Sequence, residues 1–479
     1  MSTSLAAPDV QSRRPERPAV SAAMLGEAAR SEAGPLGDGP ADVRMPPRVR
    51  MPRGLQALRL NVRQSRFMFT AGARHGDVFR SWGAIPEEAV VTSHPDHLRS
   101  LMTAPAELAP SLTGESPLRP IVGPSSVLTL LGPDHMRQRK LLLPPFHGEA
   151  VERYTALIAE AAEREIDRWP LGEPFALAPA MQAITLDVIM AGIFGVQGVA
   201  EPGTPEGELR AEIRKAVKRS SLPTAQALQL LNLGRAEPIG LAKRFVESLE
   251  RPIYAAIAAR RHAGDVQERN DVLSLLLRAH DEDGRPMDDQ ELRDELLTLV
   301  LAGHDTTAHS LAWTFERLVR NPGAYDRLRE EVRGGDGEDY LEATINEAMR
   351  SRPVIPVIGR RVSVPWQLGR WVLPAGTPVL VSILLLHHRE DLYPRPFSFL
   401  PERFLGVKPG TYTWVPFGGG IRRCLGATLA MAEQRVVLRA VVRRTDMAAV
   451  EQRPEPARHR NVTMVPARGA QVLVTSRTA

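Results

Sequence analysis

Cys424 is the only cysteine in this chain of 479 residues, and its neighbours set it apart from an ordinary buried thiol. It lies in Phe417-Gly418-Gly419-Gly420-Ile421-Arg422-Arg423-Cys424-Leu425-Gly426, where a glycine-rich loop enters a helix. A helix N-terminus stabilises negative charge and so favours the thiolate, the form of cysteine that binds metals and acts as a nucleophile. Glycines let backbone N–H groups approach the sulfur closely. Gly426 leaves room for a flat macrocycle, Phe417 can shield the sulfur from water, and Arg422 can pair with an anionic group. A lone cysteine is more commonly an inert structural thiol; the loop around this one weighs the other way.

Three further groups of residues draw attention by type and spacing. Ala302-Gly303-His304-Asp305-Thr306-Thr307 sets an acid and two hydroxyls in mid-helix; by itself it could be a kink with back-bonded threonines. His135-Met136-Arg137-Gln138-Arg139 puts His135 and Arg139 on one helical face, usually surface decoration. Glu347-Ala348-Met349-Arg350 holds an acid and a base one turn apart, but Glu165–Arg168 and Glu330–Arg333 share that spacing. Only its position before Pro401-Glu402-Arg403-Phe404 gives it weight.

The pattern F-x-x-G-x-R-x-C-x-G, filled by Phe417, Gly420, Arg422, Cys424 and Gly426, is similar to the haem-binding signature of the cytochrome P-450 family. The resemblance covers roughly residues 54–479 with the main motifs in order and no departure at a catalytic position. It implies haem b (iron protoporphyrin IX) with Cys424 as axial thiolate and metal ligand, pushing electron density toward O–O cleavage. It implies that the helix opens at Ala302–Thr307 over the distal face. There Thr306 would hydrogen-bond the oxygen ligand and Asp305 would help relay protons from solvent. His304, at the variable position, is read as a packed or solvent-linked side chain. His135 and Arg139 would bind a propionate, as would Arg360 or its neighbour Arg361. Glu347, Arg350 and Arg403 would form a buried ion network behind the haem.

The elements that must position these residues are mostly helical, and the fold class is mainly α with a small β region. The longest helix is expected from Asp288 to Arg320, opened by a D-x-x-E capping box (Asp288, Glu291) and ended by Asn321-Pro322. It should cross the molecule over the haem. A helix with Leu55, Leu58, Leu60, Phe67 and Phe69 should feed strands Val78–Trp82 and Ala89–Thr92. Thr103–Val127 reads as a long loop, Pro353–Val381 as short strands, Leu425–Arg443 as the last helix, and Val462–Val474 as terminal strands. Residues 1–50, rich in Pro, Ala and Arg, read as a disordered arm; 51–479 form one catalytic domain.

The net charge is +5, and only five of the 61 basic residues are lysine. That excess is too thin for nucleic acid but suits a local basic face for an acidic protein. One cysteine allows no internal disulfide and fits a cytoplasmic protein. Neither signal peptide nor membrane anchor is evident. Trp371–Leu386, the longest greasy stretch, is broken by Pro374, Gly376 and Pro378, which points to strands and a turn.

By resemblance, the activity is a monooxygenase acting with O2 on a lipophilic small molecule. No flavin or ferredoxin module is fused, so electrons would come from a separate ferredoxin and ferredoxin reductase. They would dock beside Arg423, Arg435, Arg439, Arg137 and Lys140. The substrate pocket would draw on Thr103–Val127, the region near Pro205–Gly240, Val300–Thr306 and the aliphatic Val354–Ile358. An H2O2-driven peroxygenase and a non-catalytic haem protein are both disfavoured by the intact Asp305-Thr306 pair.

Overall fold

The computed structural model describes residues 33–36 and 42–478, apart from 84, 86, 117, 147, 148, 197, 221–237, 336 and 461. Its axis is the helix Asp289–Val319, roughly 46 Å long at 1.5 Å per residue. Asp288 caps it as expected. Its carboxylate accepts from the Glu291 N–H at 2.8 Å, and Glu291 accepts from the Asp288 N–H at 3.0 Å. Both halves of the capping box are therefore present. Leu296, Leu297, Val300, Ala308, Leu311, Ala312 and Phe315 are fully buried on several sides, because other helices surround this one. They are Leu177–Phe194, Leu241–His262, Asp339–Ser351 and Ala427–Arg444.

Leu177–Phe194 is long and apolar enough to cross a membrane by length and composition, the one such helix among the described residues. Most of it is buried inside the fold. It is apolar all round because it packs between the long helix and Glu149–Ile166.

The β region is small. One sheet has the order β2 (Val78–Ser81), β3 (Ala89–Thr92), β8 (Pro378–Ser382), β5 (Val357–Arg361), with β3 and β8 parallel and the other pairs antiparallel. β1 (Ala33–Pro35), β6 (Trp366–Leu368) and β7 (Trp371–Leu373) form a second sheet. β4 (Pro174–Ala176), β12 (Gln471–Arg477) and β9 (Thr445–Ala449) form a third, and β10 (Ala457–Arg460) pairs with β11 (Thr463–Pro466). Trp371–Leu386 is β7, a turn, β8 and the short helix Ile383–Leu386, as its breakers required. Within Thr103–Val127 there is a 3₁₀ turn at Leu112–Glu115 and one helical turn at Arg119–Val122.

The boundary drawn at residue 50 needs correction. β1 lies inside the expected arm and pairs with β6, Arg44 bridges to Val372, and Val49 is buried. Short segments of low hydropathy escape a reading based on periodicity, yet their backbone still satisfies a sheet edge. Residues 1–32 lie outside the described residues.

Candidate active site

The cysteine loop is held by its own backbone. The Cys424 N–H donates to the Phe417 carbonyl at 3.0 Å, and Gly418 N–H donates to Val415 at 3.0 Å. Gly420 has φ +62°, and a Cβ there would fall 2.1 Å from the Met102 carbonyl oxygen, so only glycine fits. The helix starts at Ala427 with Gly426 as its N-cap, two residues later than expected. The sulfur therefore receives the Gly426 N–H just outside the first turn. Burial pushes the thiol up, opposed by that N–H and by Arg423 and Arg139. Cys424 lies deep in the molecule, yet its side chain is uncovered; it opens onto interior space. A Cβ on Gly426 would meet nothing within 4 Å, which leaves the room a flat ring needs. Phe417 packs edge-on to Trp414, ring centroids 6.2 Å apart.

Near this loop stand three guanidiniums and an imidazole with no carboxylate partner among the described residues. His135 and Arg139 share the helix Gly132–Leu142, and His135 is buried. Burial, then Arg422, Arg139 and Arg360, lower it to about 4. Arg422 is pushed down to about 10 by burial and by Arg360 and Arg139, and Arg360 to about 10 by burial alone. Arg360 donates to Ser111 Oγ at 3.4 Å and to the Gly359 carbonyl at 3.0 Å. Arg422 donates to the Val127 carbonyl at 3.0 Å and to that of Leu130. Among the described residues none of the four is paired with a carboxylate. Such a set is electrostatically incomplete and fits a group that brings two carboxylates. Arg361, the alternative to Arg360, is committed to Glu87 and Glu115 at the surface. Alternation along β5 turns Arg360 inward and Arg361 outward. A cysteine sulfur, an uncovered glycine close by, three guanidiniums and an imidazole fit the needs of a haem with two propionates.

The long helix carries an incompletely covered stripe. Leu299, Ala302, Gly303 and Thr306 are uncovered or half-covered while Val300 and Ala308 are fully buried; the i, i+3, i+4, i+7 spacing makes this one face. On the side facing Leu177–Phe194, a Cβ at Gly303 would come 2.7 Å from Ile189 Cδ1, which would have to turn aside. The expected opening of the helix is not seen. It runs unbroken, and Thr306 donates to the Ala302 carbonyl at 2.7 Å, as a back-bonded threonine does.

Asp305 is gripped from three sides. Gln182 Nε2 donates to it at 2.8 Å, one Arg460 nitrogen reaches both carboxylate oxygens at 2.6 and 2.5 Å, and His309 Nδ1 stands 3.4 Å away. Burial alone would raise its pKa, but His309, Arg460 and His304 outweigh burial and hold it below the ordinary carboxylate range. It is a fixed anion. Sequence reasoning missed Gln182, His309 and Arg460. His309 lies one turn from Asp305 and could have been suspected; the other two are distant in sequence and carried no signal. His304 is packed, with Nδ1 2.9 Å from the Val300 carbonyl.

Behind the cysteine loop, Glu347 and Arg350 are fully buried. Arg350 donates Nε to Oε2 at 2.6 Å and Nη2 to Oε1 at 2.8 Å, a two-pronged pair, and Nη1 to the His387 carbonyl at 2.7 Å. Arg403 Nε stands 3.5 Å from Glu347, and the Leu400 N–H donates to Glu347 at 2.9 Å. The look-alike Glu165–Arg168 is a 3.7 Å contact with its arginine largely exposed.

The expected docking cations are mostly spent within the molecule. Arg137 pairs with Asp281 and Glu291, Lys140 with Glu282, Arg435 with Glu342 and Arg439 with Glu338. Arg423 is exposed, without a carboxylate partner among the described residues. Of the expected substrate-lining regions, Val354, Ile355, Val357 and Ile358 are half-buried aliphatics; 221–237 lie outside the described residues.

The model of the family Cytochrome P-450 matches residues 46–474. Cytochrome P-450 138 of Mycobacterium tuberculosis (strain ATCC 25618 / H37Rv) is 37% identical over 439 residues, covering 91% of this chain and 98% of that protein. Cytochrome P-450 135B1 of the same organism is 36% identical over 457 residues, covering 91% and 92%. Among solved structures, a retinoic acid-bound cyanobacterial CYP120A1 superposes with a TM-score of 0.77 at 22% identity, over 91% of this chain and all of that one; this likeness concerns the fold. The chain belongs to the cytochrome P-450 family. It is a haem-iron monooxygenase by that membership, a class whose iron takes a cysteine thiolate and which works with O2, an organic substrate and redox partners.

Proposed function

We propose that this chain is a haem b monooxygenase with Cys424 as the iron ligand, placing one atom of O2 into a lipophilic small molecule. Electrons come from a separate ferredoxin and ferredoxin reductase in the cytoplasm. The observation that carries the assignment is the uncovered Cys424 side chain beside Arg139, which clusters with His135, Arg360 and Arg422, none of them paired with a carboxylate among the described residues. His135 and these arginines would hold the two propionates. Phe417 and the Gly426 N–H would shield and stabilise the sulfur.

When bound, haem iron supplies activation of dioxygen, assisted by the thiolate. The protein's own part is proton supply and shape. Thr306, on the uncovered stripe, carries the hydroxyl that can move a proton at Oγ1 once it releases the Ala302 carbonyl. Asp305, held ionised, does not store the proton near neutral pH; it orders donors leading to Thr306 and stabilises positive charge passing them. Leu299, Ala302 and the Val354–Ile358 aliphatics suit an apolar substrate. A free thiol at the centre suits a reducing compartment. Arg423 is the cation best placed for an acidic ferredoxin.

The test is turnover of a reconstituted system under isotopically labelled dioxygen, on ligands first selected by their low- to high-spin shift. One labelled atom should appear in the product and one in water. NADPH oxidation without labelled product would refute the assignment.

A further inference from the structure

The loop Gly123–Leu130 lies between the long helix and the cysteine loop, and Val127 touches both. Its N–H donates to Glu295 Oε1 at 2.7 Å, and its carbonyl accepts from Arg422 Nη1 at 3.0 Å. The neighbours are fastened the same way. Ser125 N–H donates to Asp294 at 2.8 Å, Ser126 Oγ meets Thr298 Oγ1 at 2.7 Å, and the carbonyls of Leu128 and Leu130 also face Arg422. The backbone comes so near the helix that a Cβ at Gly123, φ +94°, would fall 2.2 Å from the Asp294 carboxylate. Glu295 is fully buried, and its second oxygen has no hydrogen-bond partner. Burial, with Asp294 and Glu291 nearby, raises its pKa well above the ordinary carboxylate value, opposed by the Val127 N–H. What it offers the loop is the acceptor oxygen that holds the Val127 N–H.

We propose that Glu295 is a positioning residue: through Val127 it fixes this loop on the long helix and so sets where the Arg422 guanidinium stands against the haem propionates. The proposal rests on the haem-thiolate assignment above. Glu295 touches no reacting atom. Its effect travels through one peptide unit to a cation, and a cation close to haem favours the reduced, less positive iron.

The test compares haem-loaded wild type, Glu295→Gln, Glu295→Leu and Thr298→Val by reduction potential and by the rate of haem transfer to excess apomyoglobin. Glu295→Gln keeps an acceptor oxygen for the Val127 N–H, so both readouts should match wild type. Glu295→Leu strands the Val127 N–H, so the potential should fall and haem transfer should quicken about tenfold. Thr298→Val should shift both in the same direction by less, and it decides the matter should Glu295→Leu fail to fold. Leu276→Ala, a buried change outside this contact, should lower the melting temperature without moving the potential. The proposal is overturned by unchanged readouts in Glu295→Leu, or in Thr298→Val when only that variant folds. A Glu295→Gln as impaired as Glu295→Leu, or a potential shift in Leu276→Ala, also overturns it. A wild type that binds no haem would defeat the functional assignment instead.

Discussion

One nitrogen of Arg460 reaches both carboxylate oxygens of Asp305, at 2.6 and 2.5 Å, from a strand 155 residues further along the chain. The β10–β11 hairpin thereby joins His309 and His304 in holding the acid on the central helix ionised. The sign follows from linkage. A carboxyl held below its ordinary pKa stays ionised across the working range, and its stabilising contribution disappears only as pH falls through that lowered value. Arg460→Gln removes the guanidinium that reaches both oxygens and leaves Gln182, His309 and His304. The carboxyl should then titrate nearer neutrality, and the pH–rate profile should gain an acid limb absent from wild type. Product formation by Asp305→Asn should fall by about 10²-fold with the haem spectrum unchanged. Identical pH profiles for wild type and Arg460→Gln would show that the ion pair has no part in proton supply.

The Glu347–Arg350–Arg403 network should behave as a buried charge cluster. Arg350→Leu leaves Glu347 with the 3.5 Å contact to Arg403 and the Leu400 N–H, and removes its two-pronged partner. It should destabilise the fold by about 3–5 kcal/mol and reduce haem incorporation. Arg168→Leu, at the exposed look-alike, should cost under about 0.5 kcal/mol. Urea unfolding of the two variants checks the contrast.

Much of this was legible from residues alone. The capping box, the β2–β3 pair and the Trp371–Leu386 breakers each act through neighbours a few residues apart, and local rules suffice for them. The imidazole of His135 and the guanidiniums of Arg139, Arg360 and Arg422 were named because the family resemblance gave their places. Local reasoning could not separate Arg360 from Arg361, because a one-residue difference reverses the face of a strand. It could not supply Gln182 or Arg460, which reach Asp305 through tertiary packing. It also could not foresee that Arg137, Lys140, Arg435 and Arg439 would meet internal carboxylates, nor that a short segment near residue 33 would add a strand.

Glu433 is buried on the helix after the cysteine loop, and burial lifts its carboxyl to about 8 from an ordinary 4.5, with Thr307 opposing. The folded form is protonated where the unfolded form is ionised. Its stabilising effect is therefore complete below about 4.5, is lost as pH rises toward 8, and changes no further above that. Melting curves across this window should show Glu433→Gln gaining on wild type between those limits and running parallel above them. Parallel behaviour throughout would mean the carboxyl is not raised.

Of the five expected docking cations, Arg423 is the exposed one without a carboxylate partner among the described residues, so Arg423→Glu should slow ferredoxin association more than any change at Arg137 or Lys140. The effect should be largest at low ionic strength and shrink with salt. Stopped-flow reduction at several salt concentrations measures it directly; a rate indifferent to both charge and salt would place the docking face elsewhere.

The most direct test of the whole assignment is the ferrous–carbonyl spectrum of wild type beside Cys424→Ala. Wild type should show the red-shifted band that a thiolate ligand produces, and the variant should lose it while retaining secondary structure. A red-shifted band that persists without Cys424 would contradict the assignment of this sulfur as the iron ligand.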